Sequence, residues 1–140
     1  QYLVTEQKRG FRNFMTERVT SVSGDTPLET IARTLVAGRF GGVPVVEPDG
    51  TVAGFVSEGD LVAALVARTN PHATARDIMN SRSVVIDEFD TSDEVLRVLR
   101  ESRVDHLVVA RQGKLVGIIT PLDVLRFFVE HVLPLPPEAG

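Results

Sequence analysis

Two short motifs that join a hydroxyl to a carboxylate carry the clearest chemical signal in the sequence. Ser57 and Asp60 stand three residues apart after an apolar run, and Thr120 and Asp123 repeat this spacing after a second run. Backbone N–H groups and a hydroxyl at a helix N-terminus can bind phosphate, and a nearby carboxylate can accept hydrogen bonds from both hydroxyls of a ribose. The same spacing is also typical of a helix capping box, with Asp in place of Glu or Gln, which needs no ligand. Both interpretations stay open on the motifs alone.

The two motifs belong to an internal repeat. The sequence matches itself at a shift of roughly 64 residues, the kind of self-similarity that marks a repeated structural unit. The matching segments are Met15-Thr16 with Met79-Asn80, Asp25-Thr26 with Asp90-Thr91, Val43–Val46 with Leu107–Ala110, and Gly54–Asp60 with Gly117–Asp123. Copies of about 50–60 residues are small for independent stability. We therefore expect the two halves to bury their apolar faces against each other.

The first copy predicts the element order β-α-β-β-α. Val19–Val22 predicts a strand, and the helix after it is predicted to have Thr26 as its cap, with Pro27 in the first helical position. Gly38 is predicted to end this helix in the left-handed conformation. The apolar runs Val43–Val46 and Val52–Val56 flank Pro-Asp-Gly, which predicts a β-hairpin. A second helix is expected from Ser57, with one apolar side formed by Leu61, Val62, Leu65 and Val66.

The second copy predicts the same order. Its strands are expected at Val84–Ile86, Leu107–Ala110 and Leu115–Ile119, with a helix capped by Asp90, Thr91 or Ser92 and a last helix from Thr120. The predicted fold class is α/β (α+β), with two β-α-β-β-α repeats packed sheet to sheet with pseudo-twofold symmetry. The predicted boundaries are a leading helix over 1–14, repeats over 15–68 and 77–130, a polar connector over 69–76, and a flexible Pro-rich tail over 131–140.

Composition excludes several classes of protein. The 140 residues are 43% hydrophobic with a formal net charge of −4, which fits a globular chain and argues against capture of nucleic acid. The absence of Cys excludes disulfides, thiolate zinc sites and a Cys nucleophile, and is compatible with the cytoplasmic location that we expect. No apolar run is long enough to span a membrane. Because the chain begins at Gln1 without Met, we expect it to be processed or cut from a longer protein.

Enzymatic chemistry finds little support in the sequence. His72, His106 and His131 are too far apart for a metal-binding pair on one helix, so we expect no metal site. Ser57 lacks the Gly-x-Ser-x-Gly turn of an esterase, and glycine-rich phosphate loops are absent. We therefore expect that the protein is not an enzyme.

The pattern of Gly, two apolar residues, Ser or Thr, two variable residues and Asp, set twice in a β-α-β-β-α repeat, resembles a tandem pair of CBS domains, also called a Bateman module. The resemblance covers about Phe14 to Val129 and includes Met15-Thr16, Asp77-Ile78-Met79 and Val43-Pro44-Val45-Val46. It implies a regulatory module rather than an enzyme. It further implies two clefts between the repeats that take adenine nucleotides or related adenosyl compounds.

Residue by residue, the resemblance assigns ribose hydroxyls to Asp60 and Asp123 and phosphate or ribose oxygens to Ser57 and Thr120. The base is expected near the first strands and the loops that enter the hairpins, represented by Thr20, Val84, Gly42, Val43 and His106. In some family members the second of these loops carries basic residues for phosphate, and here His106 alone fits that role.

The charges in the motifs bear on the choice of ligand. Neither motif contains Lys or Arg, and Glu58 follows Ser57, which disfavours a triphosphate unless magnesium or arginines from elsewhere compensate. We expect AMP, ADP or an adenosyl compound such as S-adenosylmethionine to be preferred over ATP, with no required cofactor. If one site alone is occupied, we expect it to contain Thr120 and Asp123, because Pro121 pre-organises the helix start.

Two functions follow from these expectations. In the first, ligand occupancy is transmitted to an attached or partner protein, such as a larger parent chain or a regulated enzyme or transporter. In the second, the boxes are only helix caps and the protein is a ligand-free dimerisation module. A homodimer through the repeats is expected in both cases.

Overall fold

The computed structural model describes residues 15, 19–68, 70–81, 85–135 and 137. The leading helix predicted over 1–14 lies outside this part of the chain, as do residues 136 and 138–140 of the predicted tail. Along the described chain the elements are β1 (Val22–Ser23), α1 (Leu28–Gly38), β2 (Gly42–Val46), β3 (Val52–Ser57), α2 (Glu58–Ala67), α3 (Ala75–Ile78), β4 (Val85–Asp87), α4 (Ser92–Ser102), β5 (Leu107–Arg111), β6 (Lys114–Ile119) and α5 (Pro121–His131).

The strands form two three-stranded sheets of the same topology. In the first sheet β1 pairs parallel with β2, and β2 pairs antiparallel with β3. In the second sheet β4, β5 and β6 pair in the same order and with the same directions. The predicted mixed α and β fold, with two β-α-β-β-α repeats, is therefore confirmed.

Three local predictions for the first repeat were wrong. The first strand is Val22–Ser23 rather than Val19–Val22. Helix α1 begins one residue later than predicted, with Pro27 as its N-cap and no side-chain cap, because the Thr26 hydroxyl lies 3.0 Å from the Ser23 hydroxyl instead. The left-handed residue that ends α1 is Arg39, with φ 55°, whereas Gly38 lies inside the helix.

Alternation along the strands gives each sheet two apolar faces. In the first sheet Val56 packs with Ile31 and Leu35 of α1, and in the second sheet Val109 packs with Val95 of α4. Neighbouring residues point the opposite way because successive side chains of a strand alternate. Phe55, Val108 and Ile118 on these opposite faces form one shared cluster. The two repeats therefore pack sheet to sheet.

A reciprocal pair of backbone hydrogen bonds joins the two hairpins. The Val52 N–H donates to the Gly113 carbonyl at 3.0 Å, and the Leu115 N–H donates to the Gly50 carbonyl at 3.0 Å. Both glycines are in hairpin turns at positive φ, +90° for Gly50 and +82° for Gly113, where glycine carries no steric penalty. Because equivalent residues of the two repeats exchange these bonds, the pairing follows the predicted pseudo-twofold symmetry.

The segment between the repeats is more than a polar connector. Ala73 and Ala75 are buried in the core of the first repeat. The Ala75 N–H donates to the Thr26 carbonyl at 2.9 Å, and the Arg76 N–H donates to the Gly24 carbonyl at 2.9 Å.

In the described chain, no helix combines the length and apolarity that a membrane span requires.

An ion pair holds the first strand of each hairpin where it reaches the turn. Glu47, the residue after β2, pairs with Arg76 at 3.1 Å. In the second repeat the charges are reversed, since Arg111 of β5 pairs with Glu88, whose side chain is 1% exposed. Hydrogen bonding to Glu47 raises the pKa of Arg76, and hydrogen bonding to Glu88 raises the pKa of Arg111. Both guanidinium groups therefore stay charged.

The shared cluster predicts that Phe55→Ala is strongly destabilising. Phe55 is 8% exposed and contacts the other repeat, so its truncation should lower the free energy of unfolding by about 3–5 kcal/mol. The matched control is Phe89→Ala, because Phe89 is 63% exposed and its truncation should cost within about 0.5 kcal/mol. Chemical denaturation measures both values, and equal losses would contradict the proposed role of Phe55 at the junction.

Candidate functional site

Two clefts open where the repeats meet. The Asp60 cleft, of about 220 Å³, takes its polar lining from Ser57, Asp60, Asn80, Arg103, Asp105 and His106. The Thr120 cleft, of about 490 Å³, takes its polar lining from Thr20, Arg39, Glu58, Asp105, His106 and Thr120. In each cleft one repeat supplies the N-terminus of the helix that follows its hairpin. The other repeat supplies the loop that precedes its hairpin.

The motif at the start of α5 is a complete capping box. The Thr120 hydroxyl accepts from the Asp123 N–H at 3.2 Å, and an Asp123 carboxylate oxygen accepts from the Thr120 N–H at 2.9 Å. Pro121 occupies the first helical position, as predicted. Asp123 is buried, and its other carboxylate oxygen lies 3.6 Å from the Arg126 guanidinium. Thr120 lines its cleft, whereas Asp123 is held behind it by the cap.

At the start of α2 only one of the two hydrogen bonds of a capping box is formed. The Ser57 hydroxyl accepts from the Asp60 N–H at 3.1 Å. The Asp60 side chain is exposed in its cleft, and its carboxylate makes no hydrogen bond or ion pair with any residue that the structure describes. The Glu58 N–H donates to the Gly41 carbonyl at 2.9 Å. The equivalent Pro121 has no N–H, so the second helix start cannot make this bond.

The difference between the two caps predicts different effects on the unliganded fold. Asp123→Ala removes the carboxylate that accepts from the Thr120 N–H and should lower the free energy of unfolding by about 0.5–2 kcal/mol. Asp60→Ala is the matched control at the same helix position, and it should change stability by within about 0.5 kcal/mol. Thermal and urea unfolding of both variants provide the comparison. A larger loss in Asp60→Ala would refute this assignment of the two carboxylates.

His106 stands between the clefts and lines both of them. Its ring packs on Phe55 with centroids 5.4 Å apart, and its Nδ1 lies 2.9 Å from an Asp105 carboxylate oxygen. A Cβ added to Gly41 would lie 3.0 Å from the ring, so the glycine allows the histidine to approach the opposite loop. Only 11% of the His106 side chain is exposed. The structure therefore places His106 at both clefts.

The remaining predicted ligand residues are divided between a cleft, the core and the undescribed part of the chain. Thr20 and Gly42 line the Thr120 cleft, and a Cβ on Gly42 would come within 2.7 Å of the Val56 carbonyl oxygen. The Val43 side chain is 1% exposed and packs in the core of the first repeat, so it does not contribute to a cleft. Val84 lies outside the described residues. Among those residues, no cluster of three or more potential metal-ligating side chains was found.

The sequence analysis missed three polar residues of the clefts. Asn80 lines the Asp60 cleft because its backbone pairs with Phe55, through an N–H to carbonyl bond of 2.9 Å. Arg39 and Arg103 line the Thr120 and Asp60 clefts respectively, so each cleft contains a cation that the motifs themselves lack. The repeat alignment carries the signal that finds the arginines, since both follow the first helix of their repeat. Glu58 follows Ser57 in the first motif, but it lines the Thr120 cleft rather than the Asp60 cleft that Ser57 lines.

Comparison with known proteins agrees with the repeat architecture. The family model for the CBS domain matches residues 11–67 and 75–130. The chain belongs to the CBS domain family. Its two CBS domains correspond to the two repeats, which confirms the resemblance drawn from the motifs.

Similar proteins include both chains of comparable size and a segment of a larger enzyme. Hypoxic response protein 1 of Mycobacterium tuberculosis is 28% identical over 124 residues, which cover 87% of each chain. Inosine-5'-monophosphate dehydrogenase of Thermoplasma acidophilum is 34% identical over 109 residues, which cover 76% of this chain and 21% of that protein. The crystal structure of CBSX2 in complex with AMP superposes with a TM-score of 0.76 and 27% identity, covering 86% of this chain and 96% of that one.

Proposed function

We propose that this CBS domain pair is a regulatory module that binds an adenosyl ligand of the AMP type in the Thr120 cleft. The observation that carries the proposal is the cleft itself, because its volume of about 490 Å³ lies within the range of roughly 300–1,000 Å³ that small-molecule sites occupy. The similarity to CBSX2, whose structure contains AMP, supports the choice of ligand.

The lining suggests how such a ligand is held. Val19, Pro44 and Ile118 provide an apolar wall for the base. Thr120 and the first residues of α5 also line the cleft, and the dipole at this helix N-terminus favours a phosphate. The ribose role predicted for Asp123 stays a prediction, because its carboxylate does not line the cleft and accepts from the Thr120 N–H. The Asp60 cleft is a smaller second site with an exposed carboxylate.

Ligand occupancy can be transmitted because the Thr120 cleft is built from both repeats. A ligand that contacts α5 and the loop after α1 favours one arrangement of the repeats, and its effect is limited by its difference in affinity for the two states. The regulated target is a partner protein or a further part of a larger chain. The segment of inosine-5'-monophosphate dehydrogenase that resembles this chain illustrates the second arrangement.

A thermal-shift panel of AMP, ADP, ATP, S-adenosylmethionine and NAD tests ligand binding. AMP at one hundred times its dissociation constant should add about 2.7 kcal/mol to the free energy of unfolding. Absence of a shift with every compound at millimolar concentration would overturn the proposed function.

A matched pair of cap variants then locates the site. Thr120→Val and Thr91→Val each remove an N-cap hydroxyl, from α5 and α4 respectively, at a cost of about 1 kcal/mol. Only Thr120 lines a cleft, so Thr120→Val alone should weaken AMP binding in calorimetry. Equal AMP affinity in the two variants would place the ligand elsewhere.

We also propose that the module forms a homodimer through the outer faces of α2 and α5. Leu61 is the one residue of the predicted apolar side of α2 that is buried, whereas Val62 is 57% and Val66 is 76% exposed. Helix α5 exposes a stripe at helical spacing formed by Leu122, Leu125 and Val129, each at least 60% exposed. Both helices begin at the rim of the Thr120 cleft, through Glu58 and Leu122. A second copy of this chain would cover these stripes.

Charge placed in these stripes should separate the dimer. Val66→Glu combined with Leu125→Glu should convert a dimer to a monomer in light scattering coupled to gel filtration, because each glutamate would be buried unpaired. Val36→Glu is the control, since Val36 is 79% exposed on α1 and should leave the dimer intact. A wild-type monomer at high micromolar concentration would contradict the dimer proposal.

A further inference from the structure

Among the residues that the structure describes, three helices end on an arginine in the left-handed conformation. Arg39 ends α1 with φ 55°, Arg68 ends α2 with φ 50°, and Arg103 ends α4 with φ 56°. Glycine is the usual residue at such a position because it has no Cβ to clash in the left-handed region. Gly38 directly precedes Arg39, yet it lies inside the helix. The chain therefore keeps an arginine where glycine would fit the backbone without a Cβ clash.

Two of these arginines reach the clefts and the third does not. Arg39 lines the Thr120 cleft and Arg103 lines the Asp60 cleft, whereas Arg68 lines a separate groove beside Pro27 and Leu28. The pseudo-twofold relation explains why each cleft has one arginine. Each repeat contributes its arginine to the cleft that is lined by the motif of the other repeat. Within the described chain, the guanidinium groups of Arg39 and Arg103 make no ion pair or hydrogen bond.

Both clefts contain carboxylates as well as an arginine. In the Thr120 cleft the opposing groups are Glu58 from the start of α2 and Asp105 from the loop before β5. In the Asp60 cleft they are Asp60 and the same Asp105. A phosphate entering either cleft would therefore meet two carboxylates and, apart from the histidine between the clefts, one cation. A guanidinium presents paired N–H donors that match phosphate oxygens, which a single ammonium cannot do.

We infer that Arg39 and Arg103 are the phosphate-recognition residues of the two clefts. Each confers a preference for a phosphorylated adenosyl ligand over the uncharged nucleoside, with Arg39 acting in the Thr120 cleft. The inference rests on the proposed function and adds the group that selects the ligand. It also accounts for the absence of Lys and Arg from the motifs, because the cations come from the helix ends of the opposite repeat.

Calorimetry with AMP and adenosine on the wild type and three asparagine variants tests the inference. Asparagine tolerates the left-handed conformation, so Arg39→Asn, Arg103→Asn and Arg68→Asn should keep the backbone and leave Tm unchanged or slightly higher. Arg39→Asn should weaken AMP binding by about 10- to 100-fold, the range expected for a charge-assisted contact. Its adenosine affinity should stay within about two-fold of the wild type. Arg103→Asn should weaken AMP binding at the second, smaller site.

The control and the outcomes separate this inference from the proposed function. Arg68→Asn changes the same kind of helix end outside both clefts, so it should bind AMP like the wild type. If Arg39→Asn binds AMP with wild-type affinity, or loses AMP and adenosine equally, Arg39 does not recognise phosphate although the adenosyl site remains. If the wild type binds neither AMP nor adenosine, the proposed function itself fails.

Discussion

The packing of one sheet against the other is the constraint on which both clefts depend. Phe55 from the first repeat shares a cluster with Val108 and Ile118 from the second, and reciprocal backbone bonds hold the hairpin turns together. This contact fixes the relation between the repeats. It places the loop entering one hairpin over the helix start that follows the other, so that neither repeat contains a complete cleft alone. Loss of the junction would therefore remove both sites at once.

The two helix starts combine capping with the proposed ligand binding in different ways. At α5 the Asp123 carboxylate is committed to the Thr120 N–H, so the cleft beside it offers a hydroxyl and a helix N-terminus. At α2 the Asp60 carboxylate faces the cleft instead, and Ser57 alone caps the helix. The two interpretations of the motif are thus not exclusive. The repeats are symmetric in fold and different in the chemistry of their sites.

Much of this arrangement could be predicted from the sequence because it rests on local patterns. The short apolar runs, the Pro-Asp-Gly turn and the internal repeat predicted both sheets, and Pro121 predicted the start of α5. The errors came from competition between neighbouring groups. Thr26 bonds to Ser23 rather than capping α1, and Arg39 takes the conformation expected of Gly38. The cleft arginines were missed because they follow the helices, far along the chain from the motifs that they face.

A crystal structure of the protein with AMP is the most direct test of the central claim. The account predicts nucleotide density in the Thr120 cleft, with the phosphate beside the Thr120 hydroxyl and the Arg39 guanidinium and the base against Pro44 and Ile118. Density for AMP outside both clefts, or empty clefts at a saturating AMP concentration, would contradict it.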